Sequence, residues 1–484
     1  MLGFPLVDLE GYEMRSSFRT TALTVLAVSA GAIPGLTGAP TRSMIARSST
    51  QQVPKDKDEI VVGVEHVVST DSRSGPLVEP FLALNPKNSA NMIAAAMVVR
   101  KSDLSKLDVA AFVTNDGGGT WTRHDFGLRY GADVWVTFQA DGTAVLTTLG
   151  ELANFPAGEE QLLLYRSSDN GLTWSMGPTL LGGFHDHPTL VVDSSSRQFA
   201  GSLYVVSTRG RKNALGQNRS ALFTARSSNG GATFHEPAYV IPSNLSLEAH
   251  NPAINSDGAL LVPFADHRRR GESRRLERQR DWLVTSTDGG KSFSEPLFIS
   301  ESCDGTGGWS SLAVAPSSTS FPNRIYHVCP ARNFDGIQLR YSDTLGDSWS
   351  DVIRVDRPTN VTPYARTPAI AVNKDGVVGI AWYDGRGDAN TVKGIFRCQE
   401  VFFAGSIDGG RTFLPDVKIS RQPSCPAVPE NIGAALRFPA GGEYMGLVAA
   451  PDGRFHIVWA DARSGTYQLY ASSAIVFPAT TKRE

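Results

Sequence analysis

The octapeptide STDGGKSF at 286–293 decides how this chain reads, because close copies of it recur. They are TNDGGGTW at 114–121, SSDNGLTW at 167–174, SSNGGATF at 227–234 and SIDGGRTF at 406–413, with a degenerate SDTLGDSW at 342–349. The common form is Ser/Thr-x-Asp-x-Gly-x-Thr/Ser-Trp/Phe. Starts at residues 114, 167, 227, 286, 342 and 406 lie 53 to 64 residues apart. A period of that size, with one tight turn and one aromatic per unit, marks a repeat array, of which the β-propeller is the all-β form. Physically the pattern is a hairpin turn. The Asp or Asn side chain is expected to accept from amides two residues on, Gly supplies positive φ, and the closing ring starts a strand and packs between units.

Working outward, each copy belongs to a longer unit of four strands. In HNPAINSDGALLVPFADHRRR (250–270) followed by DWLVTSTDGGKSFSEPLFI (281–299), an apolar strand with Pro leads through Asp-Gly into a second strand. A variable loop, a third strand, the octapeptide and a fourth strand follow. The stretch TPAIAVNKDGVVGIAWYDGRGD (367–388) repeats this order. The last unit, YMGLVAAPDGRFHIVWADARSG (444–465) and YQLYASSAIV (467–476), has three strands and no octapeptide. The run EIVVGVEHVVS (59–69) is expected to supply its missing outer strand, which would close a ring without open edges. The 420 residues from 58 to 477, divided among seven units, give 60 each, which matches the octapeptide spacing. The expected fold is therefore an all-β propeller of seven four-stranded blades, with six as the alternative.

This chemistry, rich in turn formers (47 Gly and 28 Pro in 484 residues), suits a large all-β protein. A net charge of −2 gives no field to recruit nucleic acid or a membrane surface. Arg15 and Arg19 precede an uncharged stretch, TTALTVLAVSAGAI (20–33), with a small-residue cleavage pattern at Val28-Ser29-Ala30. Met14 is a better start for such a signal than the acidic segment before it. The expected organisation is a signal peptide and leader over 1–57, one propeller over 58–477 and a tail over 478–484. The protein would be secreted or periplasmic, monomeric and without a membrane span.

The octapeptides and their spacing resemble the Asp box, and the chain resembles the sialidase-like, Asp-box (bacterial neuraminidase repeat) β-propellers over nearly everything after the leader. The resemblance implies that the boxes are structural and lie away from the active site. It also implies a glycoside hydrolase acting on acidic glycans, of exo-sialidase type. Such hydrolysis uses an Arg cluster for the sugar carboxylate, a Tyr nucleophile paired with Glu, and an Asp acid/base. Tyr444, opening the last unit, resembles the nucleophile. Glu248 and Asp186 are candidate carboxylates, and Arg366 with Arg268, Arg386 or Arg463 would hold the substrate, lined by Tyr364 and Trp309. The family's first-blade Phe/Tyr-Arg-Ile-Pro is replaced by Val78-Glu79-Pro80, so its three-Arg set does not map. Its best-known members have six blades.

The residues leave other readings open. His185 and His187, two apart on a strand, are expected to share a face, with His250 opening the next blade. With Tyr and Arg on the same rim, they suit a polysaccharide lyase acting on uronate-containing glycan. A non-catalytic carbohydrate- or protein-binding propeller is the third reading. Three loops share aromatic-x-Asp-x-Arg at 264–268, 382–386 and 459–463, where Asp and Arg either pair structurally or offer Arg to a carboxylate. The Arg-rich loop at 267–280 reads as a solvated arm or an anion-binding one. No cofactor or metal enters the adopted reading. An even cysteine count in an exported chain favours disulfides. Placement within the blades favours Cys303 with Cys329 and Cys398 with Cys425 among three connectivities.

Overall fold

The computed structural model describes residues 57–69, 75–100, 106–152, 160–182, 185–212, 218–240, 246–269, 276–304, 309–360, 363–387, 391–392, 396–426, 434 and 437–479. The expected signal segment lies outside the described residues. Seven antiparallel sheets, each built on four main strands, make the blades; six take those strands consecutively from the chain, and the seventh takes its outer strand from the N-terminal run. Blade 1 comprises Leu77–Leu84, Met92–Val99, Leu107–Thr114 and Thr122–Asp125. Its second strand, MIAAAMVV, is buried at every position. An inner strand flanked by blades on both faces has no solvent side, so it runs apolar without alternating. Blade 6 carries an extra small hairpin, Thr391–Val392 with Phe396–Arg397. Among the described residues no helix is long and apolar enough to cross a membrane.

The octapeptides form one repeated turn. Asp116 Oδ1 accepts from the Thr120 amide at 2.9 Å and Asp116 Oδ2 from the Thr120 hydroxyl at 2.7 Å. Thr114 donates to Asp116 at 2.7 Å and accepts from the Gly118 amide at 2.9 Å. Trp121 Nε1 donates to the Gly118 carbonyl at 3.1 Å. The amide reached by the carboxylate is four residues on, not two, so the turn is wider than an Asx turn. Asp169, Asn229, Asp288 and Asp408 repeat the contact. In the degenerate copy Thr344 Oγ1 takes over, accepting from the Ser348 amide at 2.9 Å. Gly171 has φ +90°, and a Cβ there would meet Ile93 Cδ1 of blade 1 at 2.7 Å, so the turn of blade 2 rests on its neighbour's core.

The ring closes as the last unit requires. Glu59–Val62 pairs antiparallel with the end of Gln468–Phe477, Glu59 opposite Phe477 and Val62 opposite Ala474, and His66–Val67 continues along the same strand. Both disulfides, Cys303–Cys329 and Cys398–Cys425, are present.

The aromatic-x-Asp-x-Arg loops show why two of them look alike. Trp382 and Trp459 donate from Nε1 to Asp384 and Asp461 at 3.0 Å, and the same carboxylates accept from Arg386 and Arg463 at 2.6 Å. Each Arg also reaches a carboxylate beside its blade's outer strand, Asp416 at 2.6 Å for Arg386 and Glu65 at 2.7 Å for Arg463. The guanidinium thus pins the outer strand to the blade. In blade 4 Asp266 pairs with Arg280 instead. Arg268 sits in Leu260–Arg269, with its side chain outside those described.

The hydroxyl and amide of Thr173 hold the Asp169 carboxylate down to about 2. A depressed folded value adds stability above the unfolded pKa of about 3.9 and loses it as pH falls toward 2. Asn229 shows that the turn accepts Asn. Asp169→Asn should therefore fold, and its melting temperature should drop less than the wild type's between pH 4.5 and 2.5. Equal drops measured by circular dichroism would refute this role for the carboxylate.

Candidate functional site

The first strands of blades 1, 2, 3 and 6 slip register at corresponding places, between Val78 and Phe81, Ala132 and Trp135, Asp186 and Thr189, and Arg366 and Ala369. Within each slip one residue takes positive φ: Glu79 (55°), Asp133 (49°), His187 (52°) and Thr367 (53°). Non-glycine residues held there cost of order 1–3 kcal/mol each, and such strain clusters at functional sites. Proline follows three of the four, Pro80, Pro188 and Pro368, where a ladder donor is dispensable.

The bulge corrects one expectation. His185 and His187 do not share a face, because the extra residue breaks the alternation between them. His185 is fully buried against Phe223, its Nε2 accepting from Arg209 at 2.9 Å and its Nδ1 bonded to Ser207 at 2.8 Å. His187 instead lies within reach of four carboxylates. Its Nδ1 is 3.3 Å from Glu248 and 3.9 Å from Asp186, its Nε2 is 3.4 Å from Glu443, and its amide donates to Asp133 at 3.2 Å. Trp309 meets the imidazole edge-on at 4.1 Å and Tyr444 at 5.8 Å, and those two rings are 4.9 Å apart. Trp135 borders Tyr444 at 6.1 Å. A fifth carboxylate, Glu79, accepts from the Glu443 amide at 3.2 Å. Gly442 has φ +111°, and a Cβ there would overlap Glu79 Cγ, so this approach needs glycine.

Of the residues singled out in the sequence, Asp186, His187, Glu248, Trp309 and Tyr444 come together. His250 adjoins them through Trp309 at 4.8 Å but is buried and bonded to Ser310. Arg366 is buried, 5.6 Å over the Phe334 ring, with Tyr364 and Glu443 among its charged or titratable neighbours. Tyr364 packs against Phe334 with the rings tilted, centroids 4.9 Å apart. Arg386 and Arg463 are engaged by the blade pairs above. Sequence reasoning missed Glu443; the Gly-Gly before it was the available signal. Two sets, His187 with Glu248 and Glu443 and His187 with Asp133 and Asp186, have their donor atoms within 4.8 Å and suit a divalent cation in donor type.

Crowding sets the protonation of the site. Burial, and then Glu443 and Asp133, push Glu79 well above the usual carboxylate range. Burial raises Asp186 to about 7, against the opposing pull of His187. Burial disfavours an imidazolium at His187, but Asp186, Glu443, Asp133 and Glu248 outweigh it and hold the ring well above its ordinary value. Burial, and then Asp133, Glu79, Glu443 and Asp186, keep the Tyr444 phenol protonated, well above its ordinary value of 10. Burial lowers Arg366.

No family model and no curated protein matches the chain. Among solved structures it is similar to a protein of unknown function from Dyadobacter fermentans DSM 18053, at 11% identity and TM-score 0.46, over 86% of this chain and 99% of that one. It is similar to the Hadza microbial sialidase Hz136, at 13% and 0.45, over 86% and 96%. It is also similar to the GH93 α-L-arabinofuranosidase of Fusarium graminearum, at 12% and 0.46, over 67% and 93%. Likeness at this level concerns the course of the chain and assigns no residue a role.

The shifts give the site a pH signature. Acids with raised folded values cost stability as pH rises above their unfolded pKa near 4, and His187 adds stability below about 6.5 that is lost as pH climbs through its raised value. Both push the same way, so the wild type should melt lower at pH 8 than at pH 5. Glu79→Gln, which keeps the acceptor for the Glu443 amide, should narrow that gap by roughly 2 °C or more. An unchanged gap in thermal melts would show that Glu79 is not charged at the expense of the fold.

Proposed function

We propose that the protein is a secreted, Asp-box, sialidase-like propeller whose channel mouth is a glycoside hydrolase site. The observation that carries this reading is the group of five carboxylates around His187 and Tyr444, in which burial raises Asp186 to about 7. Glycoside cleavage needs one protonated carboxylic acid for the leaving oxygen and one carboxylate to attack the anomeric carbon or activate water. Asp186 fits the acid. Glu248 and Glu443, flanking the His187 imidazolium, fit the carboxylate, with the cation fixing both in place. Tyr444 and Trp309 wall the site.

The charge balance bears on the substrate. Among described side chains, five acids stand against His187 and Arg366, which disfavours an anionic ligand and favours an uncharged glycoside. The exo-sialidase reading keeps one specific support: Tyr444 lies among Glu79 and Glu443, the setting a phenol nucleophile requires, with Arg366 nearby for a carboxylate. The lyase reading is weaker, since a His187 held cationic is a poor base.

A panel of fluorogenic neutral pyranosides and furanosides beside a sialoside separates these readings. Cleavage of a neutral glycoside is expected, with Asp186→Asn lowering kcat/KM by about 100-fold or more and leaving the fold intact. Turnover of the sialoside alone would favour the Tyr444 route. Glycan binding without any turnover would sink the enzyme reading.

A further inference from the structure

The buried joint between blades 4 and 5 holds a second cluster, which the channel chemistry leaves unused. His327 and Cys329 stand two apart on Ile325–Pro330 and share a face. Cys303 bridges to Ala331 beside them, and Asp281 comes from Leu276–Ser286 of blade 4. All four are buried, and their donor atoms lie within 4.8 Å of one another.

Asp281 Oδ2 and His327 Nε2 face each other at 3.2 Å, with side chains only 1% and 2% exposed. The two atoms pair with each other, and neither has a further hydrogen-bond partner among the described residues. Two ligands of one tetrahedral zinc ion, each about 2.0–2.1 Å from it, stand about 3.3 Å apart, close to the separation seen here. Outer contacts of the kind that orient metal ligands are also in place. Gln279 Nε2 donates to Asp281 Oδ1 at 2.7 Å, and Gln338 Nε2 donates to Cys329 Sγ at 3.2 Å.

We propose that reduction of the Cys303–Cys329 disulfide turns Asp281, Cys303, His327 and Cys329 into a site for one zinc-class divalent cation. A dithiol supplies two electrons and two protons, is itself oxidised to a disulfide, and leaves two thiols. The cation then displaces both thiol protons to solvent and is held by two thiolates, one imidazole and one carboxylate. The disulfide links residues of blade 5 only. The ion would also tie blade 5 to Asp281 of blade 4.

The test has two arms on the full chain, each read by cobalt(II) absorption, which reports tetrahedral thiolate coordination. In the first, protein reduced with a dithiol and freed of it under nitrogen should take up one cobalt per chain with thiolate charge-transfer bands, whereas oxidised protein should not. The second arm uses Cys329→Ser, which has no disulfide here and keeps three ligands, so it needs no reductant and should give a single-thiolate band. In both arms His327→Ala should weaken binding by about ten-fold or more. Absorption in either arm that His327→Ala removes supports the site. Absence in both, or binding indifferent to His327→Ala, overturns it.

Discussion

The main-chain pairing of Glu59–Val62 with the end of Gln468–Phe477 is the constraint on which the rest of the molecule depends. Without it the ten-residue last strand would present an open edge, and blades 1 and 7 would have no reason to meet. The joint is reinforced beyond the ladder. Gly63 donates to the Ser473 carbonyl at 2.7 Å, Ser69 donates to Gln468 at 2.8 Å, and Glu65 receives Arg463. Closure sets Gly446 of blade 7 against Leu82 of blade 1, where a Cβ would fall 2.6 Å from the leucine's own. It also lets the Glu443 amide bond to Glu79 across 364 residues of sequence. The candidate site therefore straddles the seam of the ring, and its geometry is only as good as the seam.

A site built this way works against the stability of the fold. Five carboxylates crowd one imidazole in a small, partly buried volume, and three of the residues concerned sit on bulges at positive φ. Nothing in that arrangement would be chosen for packing alone, which is the physical reason for reading it as functional. Its cost is borne by the opposite requirement elsewhere. The repeated turns satisfy their own polar groups and rest on neighbouring cores, while the Arg386 and Arg463 pairs lock outer strands.

How much of this the sequence discloses depends on whether a feature is local. The turn is local, so its period revealed the propeller, and the missing eight-residue motif in the last unit revealed where the N-terminal strand must go. The Asp-x-Arg pairs were legible as a pattern but not in meaning, because the second carboxylate on each Arg, Asp416 or Glu65, lies on a separate segment. Bulges are non-local in their effect: one extra residue at Asp186 and His187 sends His185 into the blade and His187 to the acids, against simple alternation. Glu443 was missed for a related reason, the Gly-Gly before it marking only a turn. Its role exists only after ring closure places it against Glu79 and His187.

The disulfides take their place from the same constraint. Cys303 lies six residues before Trp309, and Cys425 lies in the long connection that ends at Glu443 and Tyr444. Loops of 26 and 27 residues, when cross-linked, lose chain entropy worth about 3 kcal/mol in the unfolded state. That gain would be available anywhere in the chain, so placement is the informative part. Cys398–Cys425 fixes the start of the connection beside Gln399 and Ser424, which exchange backbone hydrogen bonds at 2.9 and 2.7 Å, and Ser424 accepts from Ala462 of blade 7 at 2.8 Å. The far end of that connection must hold Glu443 within 3.4 Å of His187. At that end the Glu443 amide is tied to Glu79 of blade 1 at 3.2 Å, so the carboxylate that faces the imidazole takes its place from the seam, and a constellation held from rigid elements in this way is pre-organised.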